Sequence, residues 1–208
     1  MKQARQRLST EERQDDIVGA AIRLAENESP ERITTQHMAQ AIGLTQGAIF
    51  RHFPTKESIW AAVVDWMGGQ LAQAVERAAA EADDPLQALE RIFLAHTALI
   101  ARYPAMPRIL FHELQSAQDS RPKQLVRGIL ARYRETLVSL LRAAQGQGLA
   151  RGQLDAEAAA NLFIGAIQGL VMQAAIQGNY KDMPRRARRV FPLFLDGIRK
   201  CGGGDEAE

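Results

Sequence analysis

The residues best suited to recognising another molecule follow a glycine turn near the amino terminus. Thr45 opens a short helical segment whose first residues are Gln46, Gly47 and Ala48, and Gly43 lies just before it. A Gln amide can make paired hydrogen bonds to adenine, a small Ala can contact the thymine methyl group, and a Gly allows close approach of the backbone. Free N–H groups at such a helix start can also bind phosphate. These residue types therefore indicate recognition of double-stranded DNA.

Two short helices joined by a tight turn must position these residues. Thr34 and Thr45 each precede helical sequence, and each side chain can accept a hydrogen bond from a backbone N–H of the first turn. Apolar residues one position before and four positions after each Thr form hydrophobic staples. Gly43 supplies the left-handed conformation that helix exits commonly use. A helical hairpin in an ordinary bundle has the same spacing, so this pattern by itself leaves both interpretations open.

Apolar residues recur at intervals of three and four along the whole chain, which predicts an all-α fold. Ser9 and Glu12 form a capping-box pattern at the start of a first helix, which is expected to pack against the two short helices. Thr55 opens a long fourth helix. Asp83, Asp84 and Pro85 end that helix. The later helices are expected at about residues 86–102, 105–117, 122–145, 155–177 and 183–199.

Residues 9 to 75 resemble the amino-terminal domain of the TetR (tetracycline-repressor) family of bacterial transcription regulators. The matching features are the Thr34-Thr35 pair, the Met38-Ala39 step, residues 41–45 (AIGLT) across the turn, and residues 51–56 (RHFPTK) after Phe50. Their order and spacing agree with the family pattern. The resemblance implies an amino-terminal three-helix helix-turn-helix domain followed by a carboxy-terminal helical bundle for dimerisation and effector binding.

The resemblance also implies roles for individual residues near the turn. Thr35, His52 and Lys56 are expected to contact phosphates, while Gln46, Ala48 and Arg51 face the bases. The full set expected at the DNA is Thr35, Thr45, Gln46, Gly47, Ala48, Phe50, Arg51, His52 and Lys56. The family usually has Tyr where this chain has Phe50, so a phosphate hydrogen bond from that ring is absent here.

Composition and net charge are those of an ordinary globular protein. The chain has 208 residues, 46% of them hydrophobic and 24% charged, which is enough to bury a full core. Its formal net charge is only +2, and residues 1–56 hold eight Lys or Arg against seven Asp or Glu. DNA binding must therefore depend on local placement. Lys2, Arg5 and Arg7 form a basic arm that either follows a DNA groove or is a terminus without a role.

The sequence predicts three regions. These are a DNA-binding domain at residues 1–56, an effector-binding and dimerisation domain at 57–202, and a mobile tail at 203–208. Small residues in the helix over 155–177 allow close helix approach, and the resemblance implies that this helix and the last one pair across a twofold axis. The expected interface residues are Leu162, Gly165, Ala166, Gly169, Phe194 and Ile198. A helix hairpin inside one core is the alternative.

The middle helices carry aromatic and Met side chains that would either fill a core or enclose a small apolar or amphipathic effector. The candidates are Trp66, Met67, Phe93, His96, Tyr103, Met106 and Phe111. His96 is the strongest candidate, because it lies on an apolar helix face where a polar side chain needs a hydrogen-bond partner. That partner is either a ligand or another group of the protein itself.

Several other classes of protein are disfavoured. The single Cys201 excludes an intrachain disulfide and fits a reducing compartment, so a cytoplasmic location is expected. The four His show no metal-ligand spacing, and neither a metal nor a cofactor is expected. No apolar run is expected to reach the roughly 18 residues of a membrane span. Motifs of hydrolases, metalloproteases and phosphate-binding loops are also missing from the sequence, which argues against an enzyme.

The sequence therefore predicts a cytoplasmic, homodimeric DNA-binding transcriptional regulator, foremost a repressor released from a palindromic operator by a small molecule. The fourth helix is expected to transmit the signal. An architectural or protein-recruiting DNA binder without an effector is the alternative, and a helical-bundle enzyme is a remote one.

Overall fold

The computed structural model describes residues 9–200, and within this range the regular elements are all α-helices. The all-α prediction is confirmed. The helices are α1 (Thr10–Ala25), α2 (Thr35–Ala41), α3 (Gln46–Phe50), α4 (Lys56–Ala80), α5 (Pro85–Arg102), α6 (Ala105–Gln115), α7 (Arg121–Gly146), α8 (Ala156–Gln177) and α9 (Met183–Ile198).

α1 and α4 begin at the capping residues that the sequence indicated. At α1 the Ser9 hydroxyl accepts a hydrogen bond from the Glu12 backbone N–H at 3.1 Å, and the Glu12 carboxylate accepts one from the Ser9 N–H at 2.7 Å. Thr55 caps α4 in the same way, because its hydroxyl accepts from the Ser58 N–H at 3.0 Å. Each such cap satisfies a backbone donor that the helix itself leaves unpaired. Local capping chemistry thus fixes these boundaries.

The first compact unit contains residues 9–68 and 105–127. It comprises α1 to α3, the first half of α4, α6 and the start of α7. Its core includes the fully buried side chains of Ile17, Met38, Ile49 and Ile59. α6 is attached to α1 by Arg108, whose guanidinium donates hydrogen bonds to the carbonyls of residues 25 and 26 at 3.1 and 3.0 Å. This positive group meets unpaired carbonyls at a helix carboxyl end, where a cation is favoured.

The second compact unit contains residues 69–104 and 128–200, in which α5 packs against α8 and α9. Phe93 of α5 lies at its centre, with ring centroids 5.1 Å from Phe163 and 5.4 Å from Phe191. Phe194 extends the cluster, at 5.5 Å from Phe163. Aromatic rings at these separations contribute stabilisation beyond their buried area. Each of the two units thus consists of two separate segments of the sequence. The boundary at residue 56 between the DNA-binding and effector-binding domains stays a prediction.

α8 is more apolar than the sequence analysis expected. It has a mean hydropathy of 1.5 over its most apolar 18 residues and is, by length and composition alone, long enough to cross a membrane. The expectation that no segment reaches that length was therefore wrong. Phe163 and Ile167 of α8 lie in the core, whereas Leu162, Met172 and Ile176 are 60%, 52% and 71% exposed. One face of α8 therefore lies in the core, and these three apolar side chains are more than half exposed within the described chain.

Candidate nucleic-acid interface

α2, the glycine turn and α3 are built by two consecutive threonine caps. The Thr34 hydroxyl accepts from the His37 N–H at 3.1 Å, and the Thr45 hydroxyl accepts from the Ala48 N–H at 3.2 Å. Between them Gly43 has φ of 65°, in the left-handed region that glycine adopts without strain. Ile49 anchors α3 because its side chain is fully buried. The predicted turn geometry is confirmed.

The start of α3 faces outward. Gln46, Gly47 and Arg51 are exposed, Ala48 is half-buried, and the Phe50 ring is 43% exposed. A Cβ atom placed at Gly47 would meet no packing neighbour within 4 Å among the described residues. Packing inside the protein therefore does not require a glycine here. The position instead leaves the backbone open to close approach from outside.

Thr35 has a different environment from the one its expected phosphate contact requires. Its side chain is only 6% exposed, and its hydroxyl accepts a hydrogen bond from the Gln46 amide at 2.8 Å. The Thr35 hydroxyl, which was expected to contact phosphate, thus lies beneath the Gln46 amide, which was expected to contact bases. A buried hydroxyl in this place orients the Gln46 amide. This contact between residues 11 apart was missed, because capping patterns are read within a single turn.

His52 and Lys56 follow α3 in the sequence, and both have intramolecular contacts. Lys56 Nζ donates to the Glu31 carbonyl at 3.0 Å, and partial burial lowers the pKa of Lys56 while the Glu31 carboxylate acts in the opposite sense. The His52 carbonyl accepts from the Gln14 amide at 3.3 Å, which ties the end of α3 to α1. These contacts hold the residues after α3 in place. Their contacts to phosphate remain predictions, and the arm of Lys2, Arg5 and Arg7 lies outside the described residues.

The seven effector candidates are distributed over both compact units. Met67 and Met106 are buried and Trp66 and Phe111 half-buried in the first unit. In the second, Phe93 is fully buried in the aromatic cluster and Tyr103 is half-buried. Phe93 is accounted for by packing alone. A role in effector binding stays a prediction for all seven.

His96 has a protein partner. Its Nδ1 lies 3.0 Å from the Tyr133 hydroxyl, and the two rings meet edge to face at 5.2 Å. Burial lowers the pKa of His96 to about 4 and raises the pKa of Tyr133. The neutral imidazole is therefore the form that the fold favours. His96 therefore has a hydrogen-bond partner within the protein, and its role in effector binding stays a prediction.

The expected interface residues have two different placements. Leu162, Gly165 and Gly169 are exposed on α8, and a Cβ at either glycine would meet no packing neighbour within 4 Å in the described chain. Ala166 on the same helix is half-buried. Phe194 and Ile198 are instead buried in the core of the single chain. A surface formed by α8 therefore remains as the candidate for pairing, without these last two residues.

Two capped helices at a glycine turn, braced by α1 and presenting the first residues of α3, define a helix-turn-helix DNA-binding protein. Comparison with known families agrees with this class. The profile of the bacterial regulatory proteins of the tetR family matches residues 17–63, and that of the BetI-type transcriptional repressor carboxy-terminal domain matches residues 114–200. The chain belongs to the TetR family and is a DNA-binding transcriptional regulator rather than an enzyme.

Individual relatives are distant in sequence and close in fold. The nucleoid occlusion factor SlmA of Vibrio cholerae is 23% identical over 173 residues, which cover 83% of this chain and 88% of that protein. The fatty acid degradation regulator FadR from Bacillus halodurans superimposes with a TM-score of 0.78 at 19% identity, covering 95% and 98% of the two chains. FadR from Bacillus subtilis in complex with stearoyl-CoA gives 0.75 at 22% identity, covering 89% and 99%. These likenesses establish the shared fold.

We expect Thr35→Val to weaken binding to a specific DNA site roughly fivefold while leaving affinity for random duplex unchanged, because the lost acceptor leaves the Gln46 amide without its orienting bond. The DNA site is selected from a random pool, and affinities are measured by fluorescence anisotropy. Thr35→Ser, which keeps the hydroxyl, is the matched control. A parallel loss on both duplexes would instead assign Thr35 to phosphate.

Phe50→Tyr should strengthen binding to specific and random duplexes alike by roughly fivefold, because the half-exposed ring gains a hydroxyl where the family usually has one for phosphate. Competition with unlabelled random duplex measures both affinities. If the two proteins bind equally well, the ring at position 50 lies away from the DNA backbone.

Stability should fall on acidification through His96. Its pKa is about 4 in the fold and near 6.5 when unfolded, so the unfolded state binds more protons between these values and stability is lost as pH falls. Between pH 7 and pH 5 this term amounts to about 1 to 2 kcal/mol. Urea unfolding at both pH values should show a smaller loss for His96→Asn than for the wild type. Equal losses would remove His96 from the account.

Proposed function

We propose that this protein is a cytoplasmic homodimeric repressor that occupies a palindromic operator and leaves it when a small molecule binds. The observation that carries the proposal is the exposed start of α3, with Gln46 held by Thr35 at 2.8 Å in a helix-turn-helix. The match of residues 114–200 to a BetI-type repressor domain supports repression as the sign of regulation.

The homodimer rests on the uncovered apolar side chains of α8 and α9. Leu162, Met172 and Ile176 of α8 and Leu193 of α9 are each more than half exposed, Leu193 at 73%. Apolar side chains in one contiguous region are the usual mark of an association surface. A second copy presenting the same face would cover them around a twofold axis. Gly165 and Gly169, one turn apart, would then let the paired helices approach closely.

A two-fold dimer presents two copies of α3 to DNA and so requires a site with matching symmetry. Helix-turn-helix dimers read half-sites whose centres lie about 34 to 36 Å apart, or a multiple of that distance. In each half-site Gln46, Gly47 and Ala48 face the bases, with Arg51 beside them. Thr45 and the N–H groups of α3 face a phosphate, as do His52 and Lys56.

The effector is proposed to be apolar or amphipathic. FadR from Bacillus subtilis, which shares this fold, was solved with stearoyl-CoA, a ligand with a long apolar chain and a charged head. The candidates for contact are the seven residues named from the sequence, Trp66, Met67, Phe93, His96, Tyr103, Met106 and Phe111. An effector that prefers a conformation with wrongly spaced α3 helices weakens DNA binding by its differential affinity, about 1 to 3 kcal/mol in typical cases. α4, whose residues fall in both compact units, is the proposed route of the signal.

A second candidate is an architectural or protein-recruiting DNA binder without a small effector. It is favoured by the likeness to SlmA across 83% of this chain, because that protein is named for nucleoid occlusion. The two candidates share the reading helix and the dimer. They differ in whether any small molecule changes DNA affinity.

The operator is tested by titrating the full-length protein against DNA from immediately upstream of its own gene, at several salt concentrations, with random duplex as competitor. Competitor-resistant binding that is released by a long-chain acyl-CoA or another member of an effector panel supports the proposal. Specific binding that no effector changes would favour the second candidate, and binding no tighter than to random duplex would refute self-regulation.

Gln46→Ala should reduce sequence discrimination more than random-duplex affinity, whereas Lys56→Ala should weaken both and lower the salt dependence by about one unit.

Gly169→Leu should shift the protein from dimer towards monomer at low micromolar concentration, because the added side chain separates the paired helices. Analytical ultracentrifugation measures the change. Gly69→Leu in α4 is the matched control, because a Cβ there also meets no packing neighbour within 4 Å in the part of the chain that the structure describes. Dimers of unchanged stability in Gly169→Leu would place the interface elsewhere.

A further inference from the structure

The second compact unit has a surface groove between the last turns of α4 and the outer side of α5. Its volume is about 520 Å³. The lining is apolar along the floor and charged along the edges, and consists of Ala74, Arg77, Ala78, Glu81, Arg91, Leu94, Ala95, Ala98, Leu99 and Arg102. The opposite side of α5 packs into the aromatic cluster through Phe93. The groove therefore lies on a different face from the protomer's core, and none of its residues belongs to the proposed α8 surface.

The floor of the groove is suited to close approach by another backbone. Ala74, Ala95 and Ala98 present only methyl groups, and Ala98 is exposed. Leu94 and Leu99 are half-buried at either side of them. Short side chains between longer ones form the kind of depression into which a ridge of side chains can pack.

The edges carry an excess of positive charge. Three arginines line the groove against one acid, Glu81, which is 3.1 Å from Arg91. Arg77 and Arg102 make no ion pair with another described residue. The Arg102 guanidinium lies 5.3 Å from the centre of the Tyr103 ring. The lining therefore carries a local charge of +2, so an occupant with acidic groups is electrostatically favoured.

The shape selects among anionic occupants. The groove is open along its length, and a fatty acyl chain there would leave much of its hydrocarbon in water, whereas small-molecule sites bury most of their ligand. Nucleic acid phosphates would gain little from a floor of alanine and leucine. A helical amphipathic peptide needs only its apolar face covered and keeps its polar face in water. Along α5 the lining extends from Arg91 to Arg102, about 16 Å at 1.5 Å per residue.

We propose that this groove binds an acidic amphipathic peptide segment of a partner protein, with apolar side chains on the alanine floor and carboxylates against Arg77 and Arg102. A helical segment of about eleven residues would match its length. This interaction would give a regulator on DNA a second macromolecular partner.

The test is selection of a phage-displayed library of random 12-residue peptides on the purified protein, followed by anisotropy with the enriched peptides made synthetically. We expect peptides that combine Asp or Glu with Leu, Phe or Met at helical spacing. Arg77→Glu with Arg102→Glu should weaken their binding by roughly tenfold or more. Ala98→Trp, which fills the exposed floor without entering the core, should abolish it.

The control is Arg132→Glu with Arg151→Glu, which makes the same change in net charge at two exposed arginines outside the groove. It should leave peptide affinity within about twofold of the wild type. Circular dichroism melting and DNA binding verify that all variants remain folded. Absence of enriched peptides, enrichment without acidic residues, or equal affinity for the wild type and Ala98→Trp would each overturn the proposal. Complete displacement of the peptide by laurate at submicellar concentration would reassign the groove to a fatty anion.

Discussion

The DNA-reading surface depends on a helix that is too short to exist alone. α3 has five residues, and an isolated helix of that length is unstable in water because its nucleation cost exceeds the few hydrogen bonds it forms. Its position is therefore set from outside, by the Thr45 cap, the buried Ile49 side chain and the bond from Gln14 to the His52 carbonyl. Because α3 is unstable alone, its position depends on these neighbouring contacts. A shift of α1 or α2 would move the reading residues directly.

α8 has two faces with different environments. Its inner face supplies Phe163 to the aromatic cluster, and its outer face leaves Leu162 and Ile176 largely uncovered. A protein interior is close-packed, so the inner face has one arrangement, and the exposed outer face is the proposed dimer surface. Family membership and the fold agree on a DNA-binding regulator. Dimerisation through α8 is the step that would convert one reading helix into a symmetrical pair.

Sequence patterns predicted the local structure well because capping and turn chemistry act within a few residues. Ser9, Thr34, Thr45 and Thr55 cap helices as predicted, and Gly43 has the left-handed conformation. Contacts between distant residues were not predictable in this way. The bond between Thr35 and Gln46 and that between His96 and Tyr133 join residues 11 and 37 apart, and neither leaves a periodic signal. Similarly, an apolar stripe on α9 does not tell whether Phe194 packs inside its own protomer or against another.

The central claim is that two copies of α3, held at a fixed distance by a two-fold dimer, read a symmetrical site. Hydroxyl-radical footprinting of the protein on a site enriched from random DNA measures this directly. The account predicts two protected segments of equal strength related by a dyad, with centres one helical turn or a whole number of turns apart. A single protected segment, or uniform protection without a dyad, would contradict it.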